Sequence, residues 1–224
     1  MEDAKKFKIF KVTNDADMNR VFDMRLMGYG KHYSCSKDDM MDDLDFQPNC
    51  SQFLAEDMHG NAVGTIRVLD RRLGIIELDK FIDVDSVLHN NEKPCLEVTR
   101  LTVPNHQQSL IIKLLLYKMS WLYALINQNI SYLVSSTIER AKDYFYLGFS
   151  DAGPAGEYKH PVMGYKKHIS LKMRVDDPLK RWIAEKHDLL DFFVNTQHPN
   201  LLTENLLLTD DLLLYAKRVG NSVA

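Results

Sequence analysis

The segment from Cys95 to Thr137 joins three patterned stretches in an order that limits the folds open to the chain. CLEVTRLTV alternates apolar and polar side chains and stops before Pro104, which predicts a β-strand. From Ser109 to about Asn127, apolar residues recur every three or four positions, which predicts an amphipathic helix with a wide apolar face. ISYLVSST then predicts a second strand. The segment therefore predicts a strand, a helix and a strand.

The residues before this segment predict an N-terminal strand, a helix and a hairpin. KKFKIFKV is typical of an edge strand, and DADMNRVFDMRLMGYG predicts a helix with Asp15 or Asp17 as N-cap. That helix places Arg25 on or beside its apolar face. SQFLAED and AVGTIRVLD predict two strands joined by MHGN, and GIIELD predicts a further short strand. The residues from 84 to 94 are expected to form a loop.

The residues after Thr137 complete a mixed order of elements. IERAKDYFYLG predicts a helix that ends at Gly148, and YKHPVMGYKKHISLKM predicts one or two strands. Hairpins followed by strand, helix, strand and helix indicate an α+β fold with a predominantly antiparallel sheet. Asp177 and Pro178 start a C-terminal helix, and TENLLLTDDLLLYAKRVG predicts one or two more, with Thr209 as N-cap. We therefore expect a domain over residues 1–175 and a helical extension over 176–224.

The composition is that of an ordinary soluble chain. Of the 224 residues 45% are hydrophobic and 26% are charged, and the formal charge of −3 argues against nucleic acid as a main partner. The three cysteines (Cys35, Cys50 and Cys95) lack metal-site spacing, and the histidines form no ligand group, so we expect no metal. Without an apolar signal segment or a membrane span, a cytoplasmic location is expected. Oligomeric state is left open.

Two charged residues, Glu97 and Arg100, lie within the predicted strand CLEVTRLTV. Residues three apart in a strand point to opposite faces, so the two side chains are neighbours only if the strand is bulged. A carboxylate at such a position can accept a proton as a general base. The alternative is that Glu97 and Arg100 form a structural ion pair.

Five motifs from about Phe7 to Met173 resemble the acyltransferases of the GNAT fold. They are most similar to the N-acyl amino acid synthases and the acyl-homoserine-lactone (autoinducer) synthases. The motifs are an arginine in the first helix, an acidic pair in the next loop, a GxxR strand, an ExxRhxV strand and a YxxxGF ending. They fall on Arg25, on Asp42 and Asp45, on Arg67, on Glu97, Arg100 and Val103, and on Tyr144, Gly148 and Phe149.

The resemblance implies a GNAT-like, mixed, mostly antiparallel twisted sheet flanked by helices, with a bulge on the fourth strand. It implies an N-acyltransferase with Glu97 as general base and Tyr144 as a candidate acid for the departing thiolate. Arg25, Asp42, Asp45, Arg67 and Arg100 are expected to form, with Glu97, one paired network around the acceptor pocket. Two departures, KHYSC where the lactone synthases carry a tryptophan and Met40 where they carry an acid, favour the N-acyl amino acid synthases.

The segment after the predicted strand bears on the acyl donor. Leu101, Thr102 and Val103, followed by Gln107, Gln108 and Ser109, are the expected donor-binding residues. The segment PNHQQSLIIKLL has no glycine, and glycines allow backbone amides to approach a pyrophosphate. The resemblance therefore implies acyl-phosphopantetheine on an acyl carrier protein as donor and partner, and no bound cofactor. Acyl-CoA, held by the Gln107, Gln108 and Ser109 amides, is the alternative.

The expected function is transfer of a fatty acyl group from acyl carrier protein to the amine of an amino acid or similar small molecule. Attack would be direct, because no Cys–His nucleophile pair is visible. Three alternatives remain open: an acyl-homoserine-lactone synthase using S-adenosylmethionine, a CoA-dependent N-acetyltransferase, and a non-catalytic acyl-ligand sensor. Acyl chain length and acceptor identity are not determined by the sequence.

Overall fold

The computed structural model describes residues 6–31, 36–104, 106–160, 165–203 and 206. These residues form eight strands and six α-helices. The strands are β1 (Lys8–Lys11), β2 (Cys50–Glu56), β3 (Ala62–Asp70), β4 (Cys95–Thr102), β5 (Ser131–Thr137), β6 (Ser150–Asp151), β7 (Glu157–His160) and β8 (Lys166–Arg174). The helices are α1 (Asp15–Tyr29), α2 (Val84–Val87), α3 (Ser109–Ile126), α4 (Ala141–Tyr146), α5 (Asp177–Glu185) and α6 (Asp188–Leu190).

The chain divides into two compact units, and each unit is built from segments that are not consecutive in the sequence. Unit 1 comprises residues 1–68, 100–128 and 198–224, and unit 2 comprises residues 69–99 and 129–197. The chain passes from one unit to the other within β3 and within β4. The segment after residue 175 contributes to both units, and the predicted boundary at that position stays a prediction.

Unit 1 carries β1, β2 and β3 as neighbouring strands together with α1 and α3. β1 runs antiparallel to β2, with Lys8 opposite Glu56. Helix α1 buries Val21, Phe22 and Met24 in one apolar cluster with Leu54 of β2. This burial follows from the helical spacing of the apolar residues, since positions three and four apart share a face.

Glycines allow two close approaches within unit 1. A Cβ added at Gly28 of α1 would lie 2.2 Å from Thr102 Cγ2. A Cβ added at Gly64 of β3 would lie 3.0 Å from both Ile112 and Val103. A larger residue at Gly28 would therefore require the Thr102 side chain to move, and one at Gly64 would require the side chains of Ile112 and Val103 to shift by a few tenths of an ångström.

Unit 2 carries the first half of β4 and the strands β5, β8, β6 and β7. β4 and β5 are parallel, with Cys95 opposite Ser131 and Val98 opposite Val134. β8 runs antiparallel to β5, β6 and β7. Helix α5 packs Trp182, which is only 2% exposed, against Phe193 with ring centroids 5.1 Å apart.

The sequence predicted most of these elements and the fold class. The α+β class with mostly antiparallel strands is confirmed, as are α1, β2, β3, β4, α3 and β5. Three local expectations are wrong. GIIELD forms no strand: its first residues are irregular, and a 3-10 helix begins at Leu78 and ends at Lys80. The residues from 84 to 94 contain α2, and the N-cap of α1 is Asn14. The helices predicted within TENLLLTDDLLLYAKRVG, with Thr209, lie outside the described residues apart from Thr203 and Leu206.

Helix α3 bears on the expectation that the chain has no membrane span. By length and composition alone it is the one candidate span among the described residues. However, 56% of this 18-residue window is buried inside the protein. Burial of that extent favours a core helix.

Candidate functional site

Arg25 is the innermost residue of a charged cluster in unit 1. It lies on the buried face of α1, with no exposed surface. Its two terminal nitrogens donate to the two oxygens of Asp45 at 2.8 and 2.9 Å, which is a bidentate ion pair. The same guanidinium also donates to the Met40 carbonyl at 2.8 Å and to Gln52 Oε1 at 3.1 Å. The charge of this buried arginine is paired and both terminal nitrogens are satisfied, whereas its buried Nε has no hydrogen-bond partner among the described residues.

Asp45 is the centre of the cluster. It lies in the 3-10 helix Asp43–Phe46, whose N-cap is Asp42, and accepts the Asp42 N–H at 3.0 Å as part of a capping box. Besides Arg25 it accepts a hydrogen bond from Arg67 at 2.8 Å and one from Gln52 Nε2 at 2.8 Å. Burial raises the pKa of Asp45, but hydrogen bonding and charge from Arg25 and the charge of Arg67 outweigh it, so the pKa of this carboxyl lies below its usual value.

Asp42 extends the cluster towards the surface. Its carboxylate accepts from Arg67 at 2.8 Å and from Arg100 at 2.9 Å. The Arg67 side chain is 0% exposed, whereas those of Arg100 and Asp42 are 15% and 23% exposed. The structure therefore brings all five predicted unit 1 residues into one chain of ion pairs, buried at the Arg25 end and accessible at the Arg100 end.

Gln52 is a member of this cluster that the sequence motifs do not include. Its amide bridges Arg25 and Asp45 from β2 and is only 4% exposed. A neutral residue within an apolar strand offers no charge signal, so only the fold reveals its role. The adjacent Cys50 thiol accepts a contact from Gln52 Nε2 at 3.4 Å, and burial raises the pKa of Cys50 to about 12.

Glu97 lies on the unit 2 half of β4 and is only 1% exposed. Its Oε2 accepts the backbone N–H of Leu78 at 3.1 Å, which fixes the carboxylate against the segment that had been predicted as a strand. A buried carboxylate can remain ionised only when such donors compensate its lost hydration. Its membership in the charged network stays a prediction.

The backbone of β4 departs from a regular strand at Arg100. Its φ is 55°, in the left-handed region that residues other than glycine rarely adopt. The Thr102 hydroxyl donates to the Arg100 carbonyl at 3.2 Å, a local bond that a regular strand does not make. A left-handed residue within a strand interrupts the alternation of side chains, as the bulge expected from the sequence would.

The expected donor-binding residues lie at the end of β4 and the start of α3, in unit 1. The Gln108 N–H donates to the His106 ring Nδ1 at 3.0 Å, and the Ser109 N–H donates to the His106 carbonyl at 3.1 Å. Thr102 is buried, and Leu101 and Val103 are half-buried. Two of the three amides suggested for pyrophosphate binding therefore already have acceptors within the chain.

A comparison with protein families identifies the relationship of this chain. The sequence model of the N-acyl amino acid synthase FeeM family matches residues 20–164, which is more than half of the chain and includes the candidate residues from Arg25 to Tyr144. The chain belongs to this family. It is an N-acyltransferase.

Solved structures support the GNAT fold for this member of the FeeM family. FeeM, an N-acyl amino acid synthase from uncultured soil microbes, has a TM-score of 0.66 at 17% identity, with 81% of this chain and 98% of that chain covered. The acyl-homoserine-lactone synthase LasI has a TM-score of 0.56 at 18% identity, with 80% and 92% covered. The spermidine N-acetyltransferase of Vibrio cholerae, in complex with CoA and spermine, has a TM-score of 0.52 at 12% identity, with 78% and 98% covered. No curated protein matches the chain.

Two further expectations concern Tyr144 and metals in this FeeM-family chain. Tyr144 is half-buried and packs edge-on against Phe149, with ring centroids 5.8 Å apart. This contact is one of packing, and an acid role for Tyr144 stays a prediction. Within the described ranges, no group of three or more His, Cys, Asp or Glu side chains is placed to hold a metal ion.

Proposed function

We propose that this N-acyltransferase moves a fatty acyl group from acyl carrier protein to the amine of an amino acid or similar small molecule. The observation that carries the proposal is the match of residues 20–164 to the N-acyl amino acid synthase model. This span contains the buried carboxylate of Glu97 and the whole arginine–aspartate cluster.

The charged cluster supports a role in acceptor binding, because its side chains are buried at one end and partly exposed to solvent at the other. Arg25 and Asp45 are fully buried, and their pairing holds the loop that carries Asp42. Asp42 and Arg100, at the accessible end, present one acidic and one basic group. An amino acid carries both an ammonium and a carboxylate, so a paired acid and base are complementary to it.

Glu97 is proposed as the general base. An amine must lose a proton before it attacks a thioester, and a fixed carboxylate can accept that proton directly or through water. The substitution Glu97→Gln tests this role, because the glutamine oxygen can still accept the Leu78 N–H while proton acceptance is lost. We expect turnover to fall by about 10²–10⁴-fold with little change in donor affinity.

The control for this experiment is Glu157→Gln, which removes an exposed carboxylate on β7. Product formation is followed by mass spectrometry with an acyl carrier protein thioester and a mixture of the twenty amino acids. The wild-type rate should rise with pH through one ionisation, and that rise should be absent in Glu97→Gln. A folded Glu97→Gln protein that turns over within a few-fold of wild type would show that Glu97 is not the base.

Acyl carrier protein is proposed as the donor because of the amides at the start of α3. The Gln108 and Ser109 N–H groups bind His106, which leaves fewer amides for the pyrophosphate of CoA. A carrier protein presents a single phosphate, which needs fewer donors. We expect a higher kcat/KM for acyl carrier protein thioesters than for CoA thioesters of the same acyl chain. Equal values for the two donors would contradict the proposal.

The likeness to LasI supports one second candidate, an acyl-homoserine-lactone synthase. The same assay distinguishes the two when S-adenosylmethionine replaces the amino acid mixture, since a lactone product would then form.

We further propose a cytoplasmic location, Tyr144 as the acid for the departing thiolate, donor contacts along 101–103 and 107–109, and a helical extension after residue 175. Deletion of residues 207–224 with donor affinity as the measurement tests whether that extension contributes to donor binding.

A further inference from the structure

A carboxylate that acts as a general base has to be held in position. Its acceptor oxygen must lie within hydrogen-bond distance of the proton that it removes, and a displacement of about 1 Å can lower the rate by about 10²-fold. Glu97 is only 1% exposed, so the residues packed around it decide where its carboxylate lies.

One of the groups that hold Glu97 is a backbone amide. Glu97 Oε2 accepts the N–H of Leu78 at 3.1 Å, and Leu78 is the first residue of the 3-10 helix Leu78–Lys80. The first N–H groups of a helix have no acceptor within that helix, so they are available to a carboxylate. A hydrogen bond of this kind favours the ionised form of the carboxylate, which is the form that a general base requires.

The residues from Ile76 to Phe81, named here the support segment, carry this amide. They contain the 3-10 helix and no strand. Backbone bonds such as that from the Lys80 N–H to the Glu77 carbonyl, at 3.1 Å, lie within the segment and give it its shape. Side-chain contacts attach the segment to the rest of unit 2.

Asp79 attaches the middle of the support segment. Its Oδ2 accepts the N–H of Ile76 at 3.0 Å, which closes the segment on itself. The same carboxylate accepts from Arg71 Nε at 3.1 and 3.3 Å, and Arg71 Nη2 lies 3.0 Å from Asp79 Oδ1. Two nitrogens of one guanidinium thus contact one carboxylate, an arrangement that fixes orientation as well as distance.

Arg71 connects Asp79 to the strand that carries Glu97. Its backbone N–H donates to the carbonyl of Cys95 at 3.2 Å, and Cys95 precedes Glu97 by two residues on β4. Its Nη1 also donates to Asp85 of α2 at 2.8 Å. Arg71 is therefore tied to β4 by its backbone and to the support segment by its side chain.

The two ends of the support segment contact β7. Glu77 Oε1 lies 3.8 Å from His160 Nε2. Phe81 stacks on Tyr158, with ring centroids 4.9 Å apart and an interplanar angle of 4°. These contacts hold the ends of the segment, whereas the position of the Leu78 N–H in its middle depends most directly on Asp79, the next residue.

We propose that Asp79 and Arg71 are positioning residues, which hold the Leu78 N–H against the carboxylate of Glu97. The contacts form a closed path that leaves β4 at Cys95, passes through Arg71 and Asp79, and returns to β4 at Glu97. This inference rests on the proposed role of Glu97 as the general base. Both residues act through the Leu78 amide and not on the substrate.

The charges near Glu97 decide the sign of the expected effect. Besides Glu97 itself, the charged and titratable groups in this region are Asp70, Arg71, Glu77, Asp79, Cys95 and Tyr158. Loss of the Asp79 carboxylate removes a negative charge, which by itself favours ionised Glu97 and moves the rise of the rate to lower pH. Loss of the Leu78 hydrogen bond has the opposite effect, so the direction of the shift separates the two.

The test is the pH dependence of turnover in Asp79→Ala. The donor is an acyl carrier protein thioester and the acceptor is the mixture of twenty amino acids. We expect the midpoint of the rise to move to higher pH by about one unit, the size of one hydrogen bond to a charged group. The plateau of kcat should fall by about 10-fold to 10²-fold, because the base is less well placed, with KM for the donor unchanged.

Arg71→Lys provides a second test that keeps the positive charge. Lysine lacks the planar fork that contacts Asp79 with two nitrogens, so the midpoint should move in the same direction by a smaller amount. Asp85→Ala is the matched control, since its carboxylate binds the same guanidinium but lies in α2 and is 52% exposed. An ion pair with that exposure contributes little, so we expect the wild-type kcat and pH profile.

An unchanged midpoint in Asp79→Ala, or a shift to lower pH, would overturn the positioning role. Loss of activity in Glu97→Gln would then show that the base assignment stands. A lower melting temperature and a lower kcat at the wild-type midpoint would indicate a structural role alone and would also overturn the inference. Full activity in Glu97→Gln would overturn the base assignment and the positioning role together. If Asp79→Ala does not fold, Arg71→Lys decides by the same criteria.

Discussion

Asp45 offers the sharpest test of the charged cluster, through the substitution Asp45→Asn. The carboxylate is fully buried and accepts five hydrogen bonds, which come from Arg25 (two), Arg67, Gln52 and the Asp42 N–H. Asparagine has nearly the same shape but carries no charge. Its NH₂ group would replace a carboxylate oxygen that accepts hydrogen bonds. Two buried guanidinium groups would then lose their shared counter-charge.

The expected cost follows from the burial of these charges. Removing one partner of a buried ion pair destabilises a protein by about 3–5 kcal/mol, because the remaining charge is left uncompensated. For a chain of this size a loss of 1 kcal/mol lowers Tm by about 2–4 °C, so Asp45→Asn should lower Tm by about 6–20 °C. Urea unfolding should show a lower midpoint at an unchanged m-value.

The pH dependence of stability provides a second measurement. The pKa of Asp45 is lower in the folded protein than its usual value of about 3.9 in an unfolded chain. Its contribution to stability is therefore complete above about pH 4 and is lost as the pH falls towards the folded pKa. The difference in unfolding free energy between wild type and Asp45→Asn should be constant above about pH 5 and should shrink below about pH 4.

Asp43→Asn is the matched control, because Asp43 lies in the same 3-10 helix and is exposed. We expect it to change the unfolding free energy by less than about 0.5 kcal/mol. If Asp45→Asn and Asp43→Asn have the same stability within about 0.5 kcal/mol, Asp45 does not hold the cluster together and the reasoning is wrong.

Two further predictions concern packing and thiol chemistry. Gly28→Ala should destabilise unit 1 by about 1–2 kcal/mol despite the helix propensity of alanine, because its Cβ would lie 2.2 Å from Thr102 Cγ2. Adding Thr102→Ser removes that methyl group and should restore stability, as measured by urea unfolding. If the double variant is no more stable than Gly28→Ala, the predicted clash is wrong. Burial raises the pKa of the Cys50 and Cys95 thiols to about 12, so in a Cys35→Ser background both should resist iodoacetamide at pH 8 until the protein is unfolded. Mass spectrometry measures this labelling, and rapid labelling of the folded protein would refute it.

Elements with long or strongly patterned sequences were predictable without the structure. Helix α3 runs from Ser109 to Ile126 as the apolar spacing indicated, and in the chain β4 precedes it and β5 follows it. The hairpin between β2 and β3 turns at Gly60, whose φ of 80° suits glycine. These elements depend on side-chain periodicity and turn chemistry, both of which are properties of neighbouring residues.

The segment GIIELD shows where local pattern was insufficient. Its alternating apolar residues are indeed buried, since Ile76 and Leu78 have no exposed surface. However, the Leu78 N–H is satisfied by the Glu97 carboxylate and not by a neighbouring strand. Alternation indicates which side chains are buried, whereas the partner of each backbone group is decided by residues distant in sequence.

The charged cluster divides in the same way between sequence and structure. The resemblance to the N-acyl amino acid synthases was sufficient to select Arg25, Asp42, Asp45, Arg67 and Arg100, and because buried charges must be paired, it was expected that these residues form one network. The packing of α1, β2 and the 3-10 helix around Asp45 decides which oxygen accepts from which guanidinium. The same packing places Gln52 as a bridge between Arg25 and Asp45. The sequence determined the residue types, and only the tertiary structure decided their pairing, because hydrogen bonds depend on distances of a few ångströms between residues up to 58 positions apart.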